Sequence, residues 1–283
     1  MPDQRGIFDT HDSADPGIWL EEVTAIATEA ARLILDIYAR PFNISRKDDG
    51  SPLTDADRAA HELIVARLAR LTPGVPILSE ESARVEYRER AGWTRFWLVD
   101  PLDGTREFVN RNGEFTVNIA FIENAVPVLG VVVVPVSGVC YLAVRGQGAW
   151  KQQSGCGRIP IRVRVYRGGR ATVVASRSHR GEVLERFLAR LHAREGEFDT
   201  ASLGSSLKLC LVAEGAADVY PRLGPTSEWD TAAAQCVVEA AGGRVTDLHG
   251  TALRYNKPDI LNPWFLVTGG GDYDWRAVLD DAV

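Results

Sequence analysis

The sequence predicts an α/β (α+β) protein built as two lobes. Three observations predict it. The chain has 283 residues, enough for two domains at roughly 150 residues each. Its first half sets two long helical patterns ahead of a run of closely spaced apolar β segments. Its second half alternates short β segments with helical ones, the pattern of helices layered on a sheet. Composition is that of a folded chain, 45% hydrophobic, 25% charged and 8% aromatic, which excludes disordered, collagen-like and disulfide-stapled classes.

Taken in order, residues 1–15 are polar and acidic, carry no apolar signal segment, and read as a flexible tail. From Pro16 to Tyr38, Ile18, Leu20, Val23, Ile26, Ala27, Ala30, Leu33, Ile34 and Ile37 recur at helical spacing. The polar stretch SRKDDGSPLTDAD, residues 45–57, reads as a loop because Gly50 and Pro52 interrupt it. A second helix is expected from about Thr54 to Leu71, with Thr54 as its N-cap. Apolar β segments follow at 75–78, 95–100, 115–123, 126–135 and 139–144, and the short turns between the later ones suggest an antiparallel meander. Pro101 is expected to stop the second segment. Gly146 to Gly148 reads as a hairpin turn and KQQSGCGR, residues 151–158, as a connection. The first lobe is therefore placed at 16–158 and the second at 159–283. Alternation in IRVRV, residues 161–165, reads as an edge strand. The second lobe then offers strand ATVVAS, helices GEVLERFLARL and GSSLKLCLVAEG, strand ADVYPR, helix WDTAAAQCVVEAAGG and strand WFLVTG.

Charge sums to 32 − 38 = −6. An acidic chain is a poor match for a nucleic acid polymer or an anionic lipid surface, while a small anionic substrate fits if local cations invert the field. The longest apolar run, 126–136, is broken by Pro and Gly and falls short of the ~20 residues of a membrane span. Cys140, Cys156, Cys210 and Cys236 form no CxxC pair and are expected as buried thiols in a reducing compartment. A soluble cytoplasmic protein is expected, with peripheral contact at the inner membrane face left open.

The chemistry lies in acids at strand ends and loops: Asp57 in LTDAD, Glu80 and Glu81 in LSEES, Asp100 and Asp103 in VDPLDGT, and Asp230 in EWDTAAA. Taken alone, Asp57 and the Glu80–Glu81 pair each read better as a solvated loop residue or a helix cap than as a ligand. Asp100 is the exception, because it closes a strand apolar enough to be buried, where a charge needs a reason. If Asp100 and Asp103 converge around their turn, with the Leu102 carbonyl facing the same space, mutual repulsion requires cations. Hard oxygen donors suit Mg²⁺ or Mn²⁺ rather than zinc. Gly104 and Thr105 open a helical stretch whose free N–H groups can cradle phosphate oxygens. Metals held beside such a cradle describe phosphate ester hydrolysis, with Asp57 and Thr105 placed to orient or deprotonate the attacking water.

At these residues the chain resembles the inositol monophosphatase-type family of Mg²⁺-dependent, lithium-sensitive phosphatases. The acids of SEES, the segment WLVDPLDGT and the segment WDTAA match that family's three signatures, in its order. Within the family the resemblance is nearest to the bacterial CysQ-type 3'(2'),5'-bisphosphate nucleotidases. It is carried by SPLTDAD, LTPGVPILSEES, WLVDPLDGTREFVNRNGEFTVNIA, SRSH, GSSLKLCLVAEG and YPRLGPTSEWDTAA, and it spans roughly residues 20–270.

The resemblance implies a layered α/β/α/β/α sandwich of the inositol monophosphatase and fructose-1,6-bisphosphatase type, acting as a monomer or homodimer. It implies two or more Mg²⁺ ions, with Mn²⁺ as an alternative, on Glu80, Asp100, the Leu102 carbonyl, Asp103 and Asp230, and Glu81 nearby. It implies water activation by Asp57 and Thr105, a phosphate cradle at Gly104 and Thr105, and nucleotide contacts from His179, Ser205, Lys208 and Arg222. The implied reaction releases the 3'-phosphate of adenosine 3',5'-bisphosphate, with its sulfated form as a further candidate, in sulfur assimilation. Arg222 supports this choice. Inositol phosphatases carry a Glu on the strand before the WD segment, whereas VYPRLG places a guanidinium there, suited to a second phosphate. Glu228, beside Trp229, is an acid that could still bind hydroxyls, so an inositol or sugar phosphate phosphatase is the alternative. A non-catalytic regulator on the same fold is disfavoured because every acid of the metal set is present.

Overall fold

A 3₁₀ turn over Pro16–Trp19 leads into helix α1, Leu20–Tyr38. Its apolar stripe, including Val23, Ile26, Ala30, Ile34 and Ile37, is buried as the spacing requires. The computed structural model describes residues 15–46, 52–82, 85–153, 156–176 and 181–279. The tail at 1–14 and His179 lie outside them. The stretch expected as a loop contains paired strands β1, Ile44–Arg46, and β2, Pro52–Thr54. The Gly and Pro that break helix periodicity do not forbid a short antiparallel pair. Helix α2, Asp55–Leu71, starts where expected: the Thr54 hydroxyl accepts from the Ala56 N–H, and Asp57 closes a reciprocal capping box.

The first sheet follows. Its strands are β3 (Ile77–Ser79), β4 (Arg95–Asp103), β5 (Thr116–Glu123), β6 (Val126–Val134), β7 (Val139–Val144), β8 (Gly148–Gln153) and β9 (Ile159–Pro160), in that spatial order. Short helices α3, Tyr87–Arg90, and α4, Thr105–Val109, flank β4. β3 runs parallel to β4 and every later pair is antiparallel, so the expected meander is present. Two expectations need correcting. Pro101 does not end β4: the strand continues to Asp103 through a register shift between Asp100 and Asp103, and a bulge is where a strand tolerates Pro. The segment beginning Lys151 is part of β8, paired to β7 across the Gly146–Gly148 turn; its polar outward face had hidden it.

The second sheet has the order β11 (Asp199–Leu203), β10 (Thr172–Ser176), β12 (Val219–Arg222), β14 (Phe265–Thr268), β13 (Arg244–Asp247). β10 is parallel to both neighbours, and β14 is antiparallel to both of its own. The two edge strands, β11 and β13, escape sequence reading because edges need little apolar character. IRVRV, by contrast, forms no ladder; Val165 makes one isolated bridge to Gly270. Arg164 there is anchored by a two-point bond to buried Asp218.

Helices interleave the sheets. α1 and α2 cover the outer face of the first sheet with Trp97, Val99, Phe121 and Val131. Helices α6 (Leu207–Ala213) and α7 (Glu228–Ala240) fill the space between the two sheets, packed on Leu98, Ala120, Val132, Val174, Tyr220 and Val267. Helix α5, Glu182–Glu195, and a final 3₁₀ turn, Trp275–Val278, close the far face with Val173, Val219 and Leu266. The layers are α/β/α/β/α, as expected. Gly130 lets α7 lie directly on β6: a Cβ there would sit 2.3 Å from the Ala233 carbonyl oxygen. Cys140, Cys210 and Cys236 are buried thiols, but Cys156 is exposed, contrary to expectation. Among the described residues no helix is long and apolar enough to cross a membrane, and no feature of them supports contact with a membrane face.

Candidate active site

The sequence-predicted acids meet where β4 ends, at the N-termini of α2 and α7. Asp57 is buried in the first turn of α2. One carboxylate oxygen accepts from the Thr54 N–H at 2.7 Å and the Thr54 hydroxyl at 2.6 Å. The other accepts from the Thr105 hydroxyl at 3.1 Å. Asp57 is thus both the helix cap and the acceptor for Thr105. The Leu102 carbonyl oxygen lies 3.4 Å from the same hydroxyl, so it does face the turn. Gly104 takes φ +94°, a conformation that favours glycine. The N–H groups of Gly104 and Thr105 donate to no described residue, as the start of a helix leaves them.

Asp100, Asp103 and Asp230 are brought together with Glu80. Burial raises the carboxyl of Asp100 well above the usual range, and the charges of Glu80, Asp103 and Asp230 push it further. Asp230 is raised well above the usual range by burial first, then by Asp103 and Glu80. Burial also raises Asp103, against the opposing pull of Lys208 and the Ser206 N–H. Glu81 acts instead on His61, a helix residue bonded to Ser79 Oγ. Each Asp has one oxygen fixed: Asp100 by the Leu102 N–H at 3.1 Å, Asp103 by the Ser206 N–H at 2.5 Å, and Asp230 by the Ser227 N–H at 2.8 Å. Among the described residues no three His, Cys, Asp or Glu side chains form a ready coordination cluster. The donors nonetheless fit Mg²⁺, which keeps several waters and needs only one or two carboxylates per ion. A hydrogen bond between the Glu80 and Asp100 side chains needs a shared proton, which a cation would replace.

Next to the carboxylates lies a cleft of about 120 Å³, lined in part by Asp103, Gly104, Ser205, Lys208, Arg222 and Asp230. It joins the first sheet's bulge to the second sheet's β12. The Lys208 ammonium is buried and its pKa is pushed down to about 8, chiefly by burial, although Asp103 pulls it up. It donates to the Ser205 carbonyl at 2.6 Å. Ser205 itself is held at φ +51°. Arg222 donates from Nη2 to the Pro225 carbonyl at 2.7 Å, while its Nε is buried without a hydrogen-bond partner among the described residues.

Glu228 does not join them. It is fully buried, and its two oxygens accept from Lys257 N–H and Nζ and from Asn256 N–H at 2.6–2.9 Å. The expectation that it could bind substrate hydroxyls is corrected: it ties α7 to the 256–258 loop, which Arg90 also grips. Sequence reasoning missed the buried trio Thr116, Asn118 and Ser206. Ser206 Oγ bonds to Thr116 and to Asn118 at 2.8 Å, and Asn118 reaches Asp103 at 3.4 Å. It also missed Glu107, which lines the cleft. An acid in the first turn of a helix ordinarily just complements the dipole, so no sequence signal marked it.

The profile of the inositol monophosphatase family matches residues 19–272. The chain is 51% identical over 252 residues to the 3'(2'),5'-bisphosphate nucleotidase CysQ of Salmonella typhimurium, covering 88% of this chain and 99% of that protein. The Escherichia coli K12 protein of the same name is 49% identical over the same shares. Among solved structures, CysQ from Bacteroides thetaiotaomicron, described as a bacterial member of the inositol monophosphatase family, superposes with a TM-score of 0.77. It is 45% identical, over 90% of this chain and 99% of that one.

Proposed function

The chain belongs to the inositol monophosphatase family, and from that premise we propose that it is a 3'(2'),5'-bisphosphate nucleotidase releasing the 3'-phosphate of adenosine 3',5'-bisphosphate to leave AMP. One observation carries the substrate choice. The cleft that adjoins the carboxylates also presents a buried ammonium, Lys208, and a guanidinium with an unsatisfied buried N–H, Arg222. Two cations facing four acids suit a substrate with a second phosphate.

In this reading Glu80, Asp100, the Leu102 carbonyl, Asp103 and Asp230 hold two or more Mg²⁺ ions, or Mn²⁺ in their place. Bound there, the ions supply positive charge to the phosphate oxygens and acidify a water. The chain's own residues do the rest. The free N–H groups of Gly104 and Thr105 hold the oxygens of the transferred phosphate. Thr105 Oγ1 accepts a hydrogen bond from the attacking water while donating its own proton to Asp57, so Asp57 Oδ1 is where the abstracted proton is drawn. The Thr54 bonds to the other oxygen of Asp57 fix the carboxylate so that the acceptor lone pair stays aimed. Lys208 and Arg222 take the 5'-phosphate, and Ser205 shapes the nucleoside wall; His179 remains a proposed nucleotide contact. The enzyme acts on a small nucleotide, as a monomer or homodimer in the cytoplasm.

The test is phosphate release in Mg²⁺ from adenosine 3',5'-bisphosphate, 3'-AMP and inositol 1-phosphate, with and without lithium. Preference for the bisphosphate, lost in Arg222→Ala by about 10- to 100-fold without loss on 3'-AMP, is expected. Equal or better rates on inositol 1-phosphate would overturn the substrate and favour the inositol phosphate reading.

A further inference from the structure

Glu107 is an acid lining the cleft whose carboxylate makes no hydrogen bond among the described residues. It projects from α4 into the space between the Gly104 turn and the 204–206 loop. A Cβ on Gly104 would lie 3.4 Å from Glu107 Oε2, and one on Gly204 would lie 2.6 Å from Glu107 Cγ and 2.8 Å from the Glu114 carbonyl oxygen. Two glycines therefore make the slot that admits this side chain. Glu114 has a partner, the Gly204 N–H at 2.9 Å. Among the described residues the Glu107 carboxylate makes no hydrogen bond and no close ion pair, although its charge is felt by Lys208 and by Asp103.

A carboxylate is an acceptor only. Beside the N–H groups that hold the transferred phosphate, it repels phosphate oxygens and calls for a donor. On a ribose 3'-phosphate the donor nearest the scissile ester is the 2'-hydroxyl; on the 2'-isomer it is the 3'-hydroxyl. One acceptor at this place serves both isomers. Resting on the nucleotidase reading above, we propose that Glu107 is a specificity-determining residue that accepts a hydrogen bond from the ribose hydroxyl vicinal to the scissile phosphate. It orients the ester toward Thr105 and rejects substrates that lack that hydroxyl, since a site built around a substrate hydroxyl discriminates strongly against its absence.

The experiment compares kcat/KM for adenosine 3',5'-bisphosphate and 2'-deoxyadenosine 3',5'-bisphosphate in the wild type, Glu107→Ala and Glu107→Gln, with thermal melts confirming folding. The wild type should favour the ribonucleotide by about 10- to 100-fold, the value of a hydrogen bond to a charged group. Glu107→Ala should bring the ratio near one, and Glu107→Gln, which keeps an acceptor oxygen, should fall between. Any general gain from removing a negative charge acts on both substrates and cancels in the ratio. A ratio unchanged in Glu107→Ala, or a wild-type ratio of one, overturns this assignment while leaving the nucleotidase reading intact. Failure of the wild type to release phosphate from either nucleotide overturns both.

Discussion

Thr105 is where the site's chemistry is most exposed to a single atom. Its hydroxyl bonds to Asp57, and the residue is the first of α4. Thr105→Ala is expected to lower kcat by about 10²–10⁴-fold, the range for a lost proton-transfer partner, with little change in KM, while Thr105→Ser retains most activity. A fall in KM-dependent binding alone, with kcat kept, would remove Thr105 from the proton path. Glu228 makes the opposite prediction. Replacing it with Ala leaves Lys257 Nζ and two backbone N–H groups without their acceptor. Denaturant unfolding should show a loss of about 3–5 kcal/mol, and the preference among substrates should stay as it was. The contrast with Asp230, two positions along, has a simple cause. Residues i and i+2 on a helix point to different sides, so only one of the two acids faces the cleft. The sequence displayed both; packing against the 256–258 loop chose.

Among the elements, β4 and α7 set the site. β4 delivers Asp100 and Asp103 because its apolar run carries them into the interior before the bulge turns the chain. α7 delivers Asp230 from the other half, and its height above the first sheet depends on Gly130. Gly130→Ala forces the Ala233 carbonyl away. It is expected to destabilise by about 1–3 kcal/mol and to lower activity by displacing Asp230, seen as parallel shifts in the denaturation midpoint and in kcat. Wild-type stability in that variant would mean that the close approach of helix and strand is dispensable. The strong helices and the meander were legible because their periodicity reports burial. β8, β11 and β13 were not, since half-exposed or edge strands carry a weak pattern, and the Asp100–Asp103 bulge was not, since a Pro in a strand reads as an end.

For the whole molecule, the layers bury Asp100 and half-bury Asp103 and Asp230 beside it, with no cation among the described residues bonded to all three. Their folded-state values are raised, so the folded protein holds more protons than the unfolded chain. Their contribution is most favourable below the unfolded carboxylate range and is lost as pH rises through the raised folded values. Metal-free protein therefore carries a penalty at neutral pH that bound Mg²⁺ removes. The Mg²⁺-induced rise in melting temperature is expected to be largest near neutral pH and to shrink as pH falls toward about 5, where protons compete for the same oxygens. Taking the difference between Mg²⁺ and chelator scans cancels carboxylates elsewhere, such as Asp199 and Glu195, whose values are lowered by Arg170 and Tyr273 respectively. A difference that is flat or grows on acidification would count against a metal on these acids.

By itself the sequence determined the α/β class, the principal helices and the meander, and singled out Asp100, because hydrophobic period and a charge at the end of an apolar strand are local signals; Asp57, Asp103 and Asp230 were marked by their place in the motifs that carry the family resemblance. Only the tertiary structure decided which acids face one another, that Glu228 is turned away into a knot with Lys257, that Arg222 keeps a buried N–H unsatisfied, and that Glu107 stands in a slot between two glycines. Those outcomes depend on contacts between segments distant in the chain, from 29 residues apart for Lys257 with Glu228 to 103 for Ser206 with Asp103 and 166 for Arg90 with Asn256. No local pattern encodes them, since they arise when the sheets and helices close on a shared core.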